Sequence, residues 1–194
     1  MFLFRLSAQK TDLDFVSTVA DVVKTLSAAD SAVAHSTVRA LILRDLIQGD
    51  ASDPTTRHSV VDHVLSTAPA DIVAEYQSAV SAITTATDNT SAWGEDILSP
   101  AYLDAVQNFG KACPDPGNFQ SALLAVLTAS TYSEGIRRNI LGGGCNCSRA
   151  NFIGAALGAA YGLGEPNGVP LEWLERTDKG VETLDLAIGL FRGA

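Results

Sequence analysis

Apolar residues in this 194-residue chain recur every three to four positions, and nowhere do they alternate in twos over a strand's length. A period near 3.6 collects apolar side chains on one face of a helix, whereas a half-buried strand needs a period of two. The chain is therefore predicted to be all-α, a helical bundle of about ten helices without a sheet. Phe15, Val19, Val22, Val23 and Leu26 form one stripe, behind a Thr11-Asp12-Leu13-Asp14 start that is an acidic variant of the capping box. Further helices are predicted over 30–48 with Gly49 as the stop, over 55–66 after Pro54, and over 69–87. Residues 88–98 read as loop, and Ser99-Pro100 opens a helix that ends near Cys113. Others follow over 119–129, 132–141 and 149–162, with a last amphipathic one near 179–191. No self-similar period and no composition shift divides the chain, so a single domain over 1–194 is expected.

Composition narrows the class of partner. Hydrophobic residues make up 46% and charged residues 18%, too apolar a balance for disorder. The formal net charge of −9 has the wrong sign for a phosphate backbone or an anionic lipid surface, so neither a nucleic acid nor a membrane is expected as partner. The most lipid-like stretch, residues 150–163, falls short of the roughly 20 apolar residues needed to span a bilayer. The opening MFLFRLSAQK is too short an apolar run for a secretory signal. With three cysteines, an odd number, the thiols are expected to be reduced and the protein intracellular, in the cytoplasm.

The most unusual segment is Gly142-Gly143-Gly144-Cys145-Asn146-Cys147-Ser148, which precedes a helix of small residues. Glycines there allow positive φ and close approach, and a helix start offers unpaired N–H groups and a positive dipole end to an anion. Ser148 is expected as the N-cap; the plainer alternative is a flexible turn before a capped helix. A P-loop is excluded, because no Lys-Ser/Thr follows the glycines and no strand precedes them. Ala150, Gly154, Gly158 and Gly162 place a small-residue stripe on one face, as in a buried central helix. Cys145-x-Cys147 with Cys113 fits no common zinc spacing. His35, His58 and His63 form no evident catalytic set, and there is no Gly-x-Ser-x-Gly elbow. Trp93 and Trp173 read as packing residues, with stacking on an adenine as the alternative for Trp93. Arg137, Arg138 and Arg149 are candidates to meet a phosphate, Arg149 best placed, with a salt bridge as the plainer role.

Three segments together carry a resemblance: NFGKACPDPGNFQSALLAVL (108–127), NILGGGCNCSRANFIGAALGAAYG (139–162) and VPLEWLER (169–176). In order and spacing they resemble the C-terminal part of the ADP-ribosylglycohydrolase superfamily, most of all its J-type crystallin-like branch. VKTLSAADSAVAHSTVRALILRDLIQG (23–49) looks, more weakly, like an earlier helix pair of that family. The resemblance implies an all-α bundle and, in active members, two magnesium ions that position ADP-ribose and a water for hydrolysis of a ribosyl bond. It places Gly143, Gly144, Asn146, Ser148 and Arg149 in the substrate-binding loop, and Cys145, Cys147 and Ser148 at positions matching family metal ligands. Only Ser148 keeps an oxygen there; thiol sulfur is soft, and magnesium takes hard oxygen ligands.

No segment resembles the family's early Gly-Asp metal motif, so the chain reads as beginning downstream of it, either as part of a longer protein or as a short paralogue. Asp12 and Asp14 suit a helix start better than a metal. Met1-Phe2-Leu3-Phe4 is suited to cover a face left bare or to pair with another chain. A disulfide between Cys113 and a loop cysteine needs close geometry and an oxidising compartment; the resemblance implies that they lie near each other. The expectation is a family member with a degenerate magnesium site, structural and crystallin-like or binding an ADP-ribose-like small molecule. No catalytic residue is assigned and no cofactor is expected unless the magnesium site is completed. The alternative is a fragment of a magnesium-dependent hydrolase, active only with its missing N-terminal portion.

Overall fold

The computed structural model describes residues 12–49, 51–68, 100–164 and 166–192, with single helical positions at 70, 73, 77 and 81. Among them run nine helices: α1 (Asp12–Lys24), α2 (Asp30–Gln48), α3 (Pro54–Thr67), α4 (Pro100–Phe109), α5 (Gly117–Thr128), α6 (Tyr132–Leu141), α7 (Asn146–Tyr161), α8 (Leu171–Arg176) and α9 (Gly180–Arg192). No strand forms among the described residues; Leu163 and Val169 make an isolated bridge. The all-α prediction holds. Of the helix expected over 69–87 only the four single positions are described. The Thr11 cap, the 88–98 loop with Trp93, and Ser99 lie outside the described residues. No described helix is long and apolar enough to cross a membrane.

The bundle is arranged around α5. Its sequence GNFQSALLAVLT carries no charge, and every residue from Gly117 to Leu127 is buried. From Ala122 to Leu127 it is apolar all round and must be enclosed, and α3, α4, α6 and α7 pack on the helix. Helix α7 also packs on α2 and α6, and α1 lies on α2. The shared core includes Ile42 and Leu46 of α2, Val61 and Val64 of α3, and Ile153 and Leu157 of α7. Each such side chain contributes about 1.5–3 kcal/mol when fully buried. The stripe expected on α1 divides: Phe15 and Val19 are buried against Ala40, but Val22 is exposed and Leu26 is 91% exposed.

Three local expectations are corrected. The helix opened by Pro100 stops at Phe109 rather than near Cys113, because Gly110 turns the chain with φ of 101°. Helix α7 begins at Asn146, so Ser148 lies inside its first turn and Cys145 holds the cap position without a side-chain cap bond. Helix α7 is central, but its buried residues are Arg149, Ile153, Ala156 and Leu157 rather than the small stripe. Close approach comes from the facing helix: a Cβ on Gly135 of α6 would stand 2.2 Å from Leu157 Cδ1.

The end of α5 shows why two arginines are buried. The last carbonyls of a helix lack intrahelical partners. Arg57, 0% exposed, donates from Nε to Val126 O (2.9 Å) and from Nη2 to Ala129 O (2.6 Å). Its Nη1 reaches Ala51 O and Ser52 O, and its guanidinium lies 5.0 Å from the Tyr161 ring centroid. Arg138, one of the expected phosphate candidates, is buried as well. It donates to Thr128 O (3.1 Å) and pairs with Glu134 at 2.5 Å, so it closes the same helix end. Arg137 stays exposed.

Arg57→Met keeps an unbranched apolar stem, removes the guanidinium and strands these carbonyls. It is expected to lower stability by about 3 kcal/mol, read as a lower urea midpoint at unchanged slope. An unmoved midpoint would contradict the role given to Arg57.

Candidate functional site

The glycine loop joins α6 to α7 and is held from within. Gly143 and Gly144 both have positive φ, 73° and 72°, which L side chains rarely adopt. At Gly144 the demand is also steric, since a Cβ would stand 2.4 Å from both the Cβ and the carbonyl oxygen of Lys111. The next residue secures that approach: Cys145 N–H donates to Lys111 O at 2.8 Å.

Arg149, 1% exposed, holds the other side. Its Nε donates to Asn139 Oδ1 (2.8 Å), its Nη2 to Asn146 Oδ1 (2.9 Å) and to Gly143 O, and its Nη1 to Lys111 O (3.4 Å). Asn139 completes the ring by donating from Nδ2 to Asn146 O (3.0 Å). A guanidinium has five N–H donors in a rigid plane, which suits several carbonyls converging from different segments. Arg149, a candidate to meet a phosphate, directs these donors to the loop.

Two thiols and one hydroxyl stand at the start of α7. Cys145 Sγ and Ser148 Oγ are 2.9 Å apart. A hydrogen bond from the Cys113 thiol, and then one from Ser148, draw the Cys145 thiol down to about 7. The same bond holds the Cys113 thiol above its ordinary value. All three cysteines are free. Among the described residues no three His, Cys, Asp or Glu side chains gather where they could hold a metal ion. The donors at Cys145, Cys147 and Ser148 are two sulfurs and one oxygen, a set that does not fit magnesium.

Beside this loop opens a cavity of about 710 Å³. Val19, Val22 and Val23 of α1 form one wall; Ser36, Arg39, Ala40 and Leu43 of α2 another. Cys113, Asp115 and Asn118 close the turn side, and Ser148, Asn151, Phe152 and Ala155 of α7 the last. Arg39 and Asp115 neutralise each other through a bidentate ion pair, with Nη1 to Oδ2 at 3.0 Å, and Arg39 Nη2 reaches Asn118 Oδ1 at 3.4 Å. Asn118 is 5% exposed, and its Nδ2 has no hydrogen-bond partner. Of the expected binding residues, Ser148 lines the cavity, while Gly143, Gly144, Asn146 and Arg149 build the loop behind it.

Asn118, Arg39 and Asp115 carry no role in the sequence reading. The signal available was a polar residue directly before the apolar run of α5, and an arginine inside the otherwise apolar VRALIL of α2. Neither names its partner, because Arg39 and Asp115 are 76 positions apart.

Comparison with known proteins adds a lineage. Residues 4–194 match the family model described as ADP-ribosylglycohydrolase. Crystallin J1A of Tripedalia cystophora is 42% identical over 84 residues, 43% of this chain and 25% of that protein. Crystallin J1B of the same organism is 34% identical over 94 residues, 48% of this chain and 28% of that protein. The matched stretch thus spans about a quarter of the length of each curated relative. No solved structure matches.

Arg149→Lys replaces the planar fork with one ammonium and leaves Asn139, Gly143 and Asn146 competing for it. Amide exchange at Cys145 is expected to quicken about tenfold, equivalent to about 1.4 kcal/mol, with α3 amides such as Val64 unchanged. Equal exchange in both proteins would show that Arg149 does not shape the loop.

Proposed function

We propose that this chain, which belongs to the ADP-ribosylglycohydrolase family, binds an ADP-ribose-like ligand in the cleft between α1, α2, α5 and α7 without cleaving it. The observation that carries this reading is Asn118, a residue that lines the cavity and whose buried Nδ2 has no hydrogen-bond partner. Leaving such a group unpaired costs about 1–3 kcal/mol, and a ligand acceptor seated against it removes that cost. The valine side of α1 with Phe152 and Ala155 offers an apolar surface for a flat ring system. The start of the 16-residue α7 brings the positive end of the helix dipole and the Ser148 hydroxyl to the rim, a setting that favours phosphate oxygens.

The same wall supports binding over hydrolysis. Opening a ribosyl bond needs a group that activates water. Asp115 is the one carboxylate among the described lining residues, and both of its oxygens are engaged by Arg39. Magnesium, in family members that hold it, supplies charge to polarise substrate oxygens; here Cys145 and Cys147 stand where such acidic ligands are expected. A second reading rests on length: the matched stretch is about a quarter of each crystallin relative. On that reading an N-terminal portion supplies the missing carboxylates, and the joined protein hydrolyses ADP-ribosyl conjugates.

Titration calorimetry with ADP-ribose separates the readings. Binding heat is expected with and without magnesium, at the same affinity. Asn118→Leu is expected to weaken it about tenfold, by about 1.4 kcal/mol, and no ADP-ribose should be released from conjugates. Heat that requires magnesium, or magnesium-dependent release by this chain, would overturn the proposal.

A further inference from the structure

We propose that Cys113 and Cys145 form a redox pair, which hydrogen peroxide joins in a disulfide beside the cleft. Backbone geometry brings their segments together before any sulfur chemistry. Cys145 N–H is bonded to Lys111 O at 2.8 Å, and Gly144 leaves no space for a Cβ against Lys111. Arg149 reaches the same Lys111 carbonyl from the other side at 3.4 Å. Two residues on from Lys111, Cys113 lines the same cavity as Ser148, whose hydroxyl stands 2.9 Å from the Cys145 sulfur. A disulfide needs its two Cβ atoms close, and the Lys111 contacts hold the two cysteine-bearing segments side by side.

The neighbours assign the order of events. Cys145 sits at the cap position of α7, at the positive end of the helix dipole, with the Ser148 hydroxyl 2.9 Å from its sulfur. Its sulfur attacks one peroxide oxygen, the O–O bond breaks, and the departing oxygen leaves as water with the thiol proton. Cys145 is then a sulfenic acid. The Cys113 sulfur attacks the Cys145 sulfur, the S–S bond forms, the S–O bond breaks, and the hydroxyl leaves as a second water with the Cys113 proton. Two thiols lose two electrons and one peroxide gains them. Cys147 is a poor competitor, because it is the second residue of α7 and stands two positions from Cys145, a spacing that does not bring helical side chains face to face.

The bond would tie the 110–116 turn, which carries Asp115, to the glycine loop. Cys113, Asp115 and Ser148 all line the cleft, so oxidation fixes two of its walls to each other. This pair stands on its own geometry, whether or not the cleft holds an ADP-ribose-like ligand.

The test is a disulfide map of the reduced full chain after treatment with one equivalent of hydrogen peroxide. Free thiols are alkylated under denaturing conditions and the chain is cut with trypsin, which releases 112–137 with Cys113 and 139–149 with Cys145 and Cys147. The expected product is a linked pair of these peptides in most of the monomer, two hydrogens lighter, with Cys147 alkylated and the bond reversed by dithiothreitol. Cys147→Ser should form it equally well and Cys113→Ser should not. If Cys113→Ser fails to fold, the wild-type map decides alone. Full alkylation of all three cysteines, a link from Cys113 to Cys147, a link only between chains, or Cys145 sulfinic acid beside a free Cys113 would each overturn the proposal.

Discussion

One buried guanidinium decides the shape of the region beside the cleft. Arg149 takes acceptors from the 110–116 turn, the end of α6, the glycine loop and the start of α7, and binds them into one unit. Without that fork the positive-φ pair Gly143-Gly144 would be a hinge with many conformations. With it, the loop has one shape, Lys111 is pinned against Gly144, and the first turn of α7 is aimed at the cavity rim. The proposed cysteine pair depends on the same constraint, since it holds Lys111 against Gly144 and Cys145.

Arg57 and Arg138 repeat the device at the other end of the core. They satisfy the last carbonyls of α5, a helix enclosed on every side that water cannot reach to complete. A charge buried this deeply is stable because its donors meet acceptors. Against that background Asn118 stands apart. Its Oδ1 is met by Arg39 while its Nδ2 has no hydrogen-bond partner, on a residue that lines the cleft. Among the described residues no other buried side-chain nitrogen or oxygen lacks a partner, which makes that one amide informative.

Much of this was legible before any coordinates. Helical periodicity alone excluded a sheet, and the segments at 108–127, 139–162 and 169–176 carried the family likeness that the match over 4–194 establishes. The glycine loop and its capacity for positive φ could be read directly from GGGCNCSR, though not which of the glycines use it. The inward turn of Arg149 could not, because its partners Lys111 and Asn139 lie 38 and 10 positions away and nothing local distinguishes a buried arginine from a phosphate-facing one. Ser148 was misread as a cap for a related reason: a hydroxyl is the usual cap, but the turn of the loop starts the helix earlier, at Asn146. The exposed part of the α1 stripe shows the limit of periodicity. It marks a face that can be buried, and Val22 instead borders an open cavity.

The central claim is that a loop of preserved shape serves a cleft that holds its ligand without magnesium. A crystal structure of the chain grown with ADP-ribose and magnesium chloride tests it most directly. The account predicts the ligand in the cleft, with an acceptor on Asn118 Nδ2 and no ion bound at Cys145, Cys147 or Ser148. An ordered pair of magnesium ions beside Ser148, or a ligand seated away from Asn118, would contradict it.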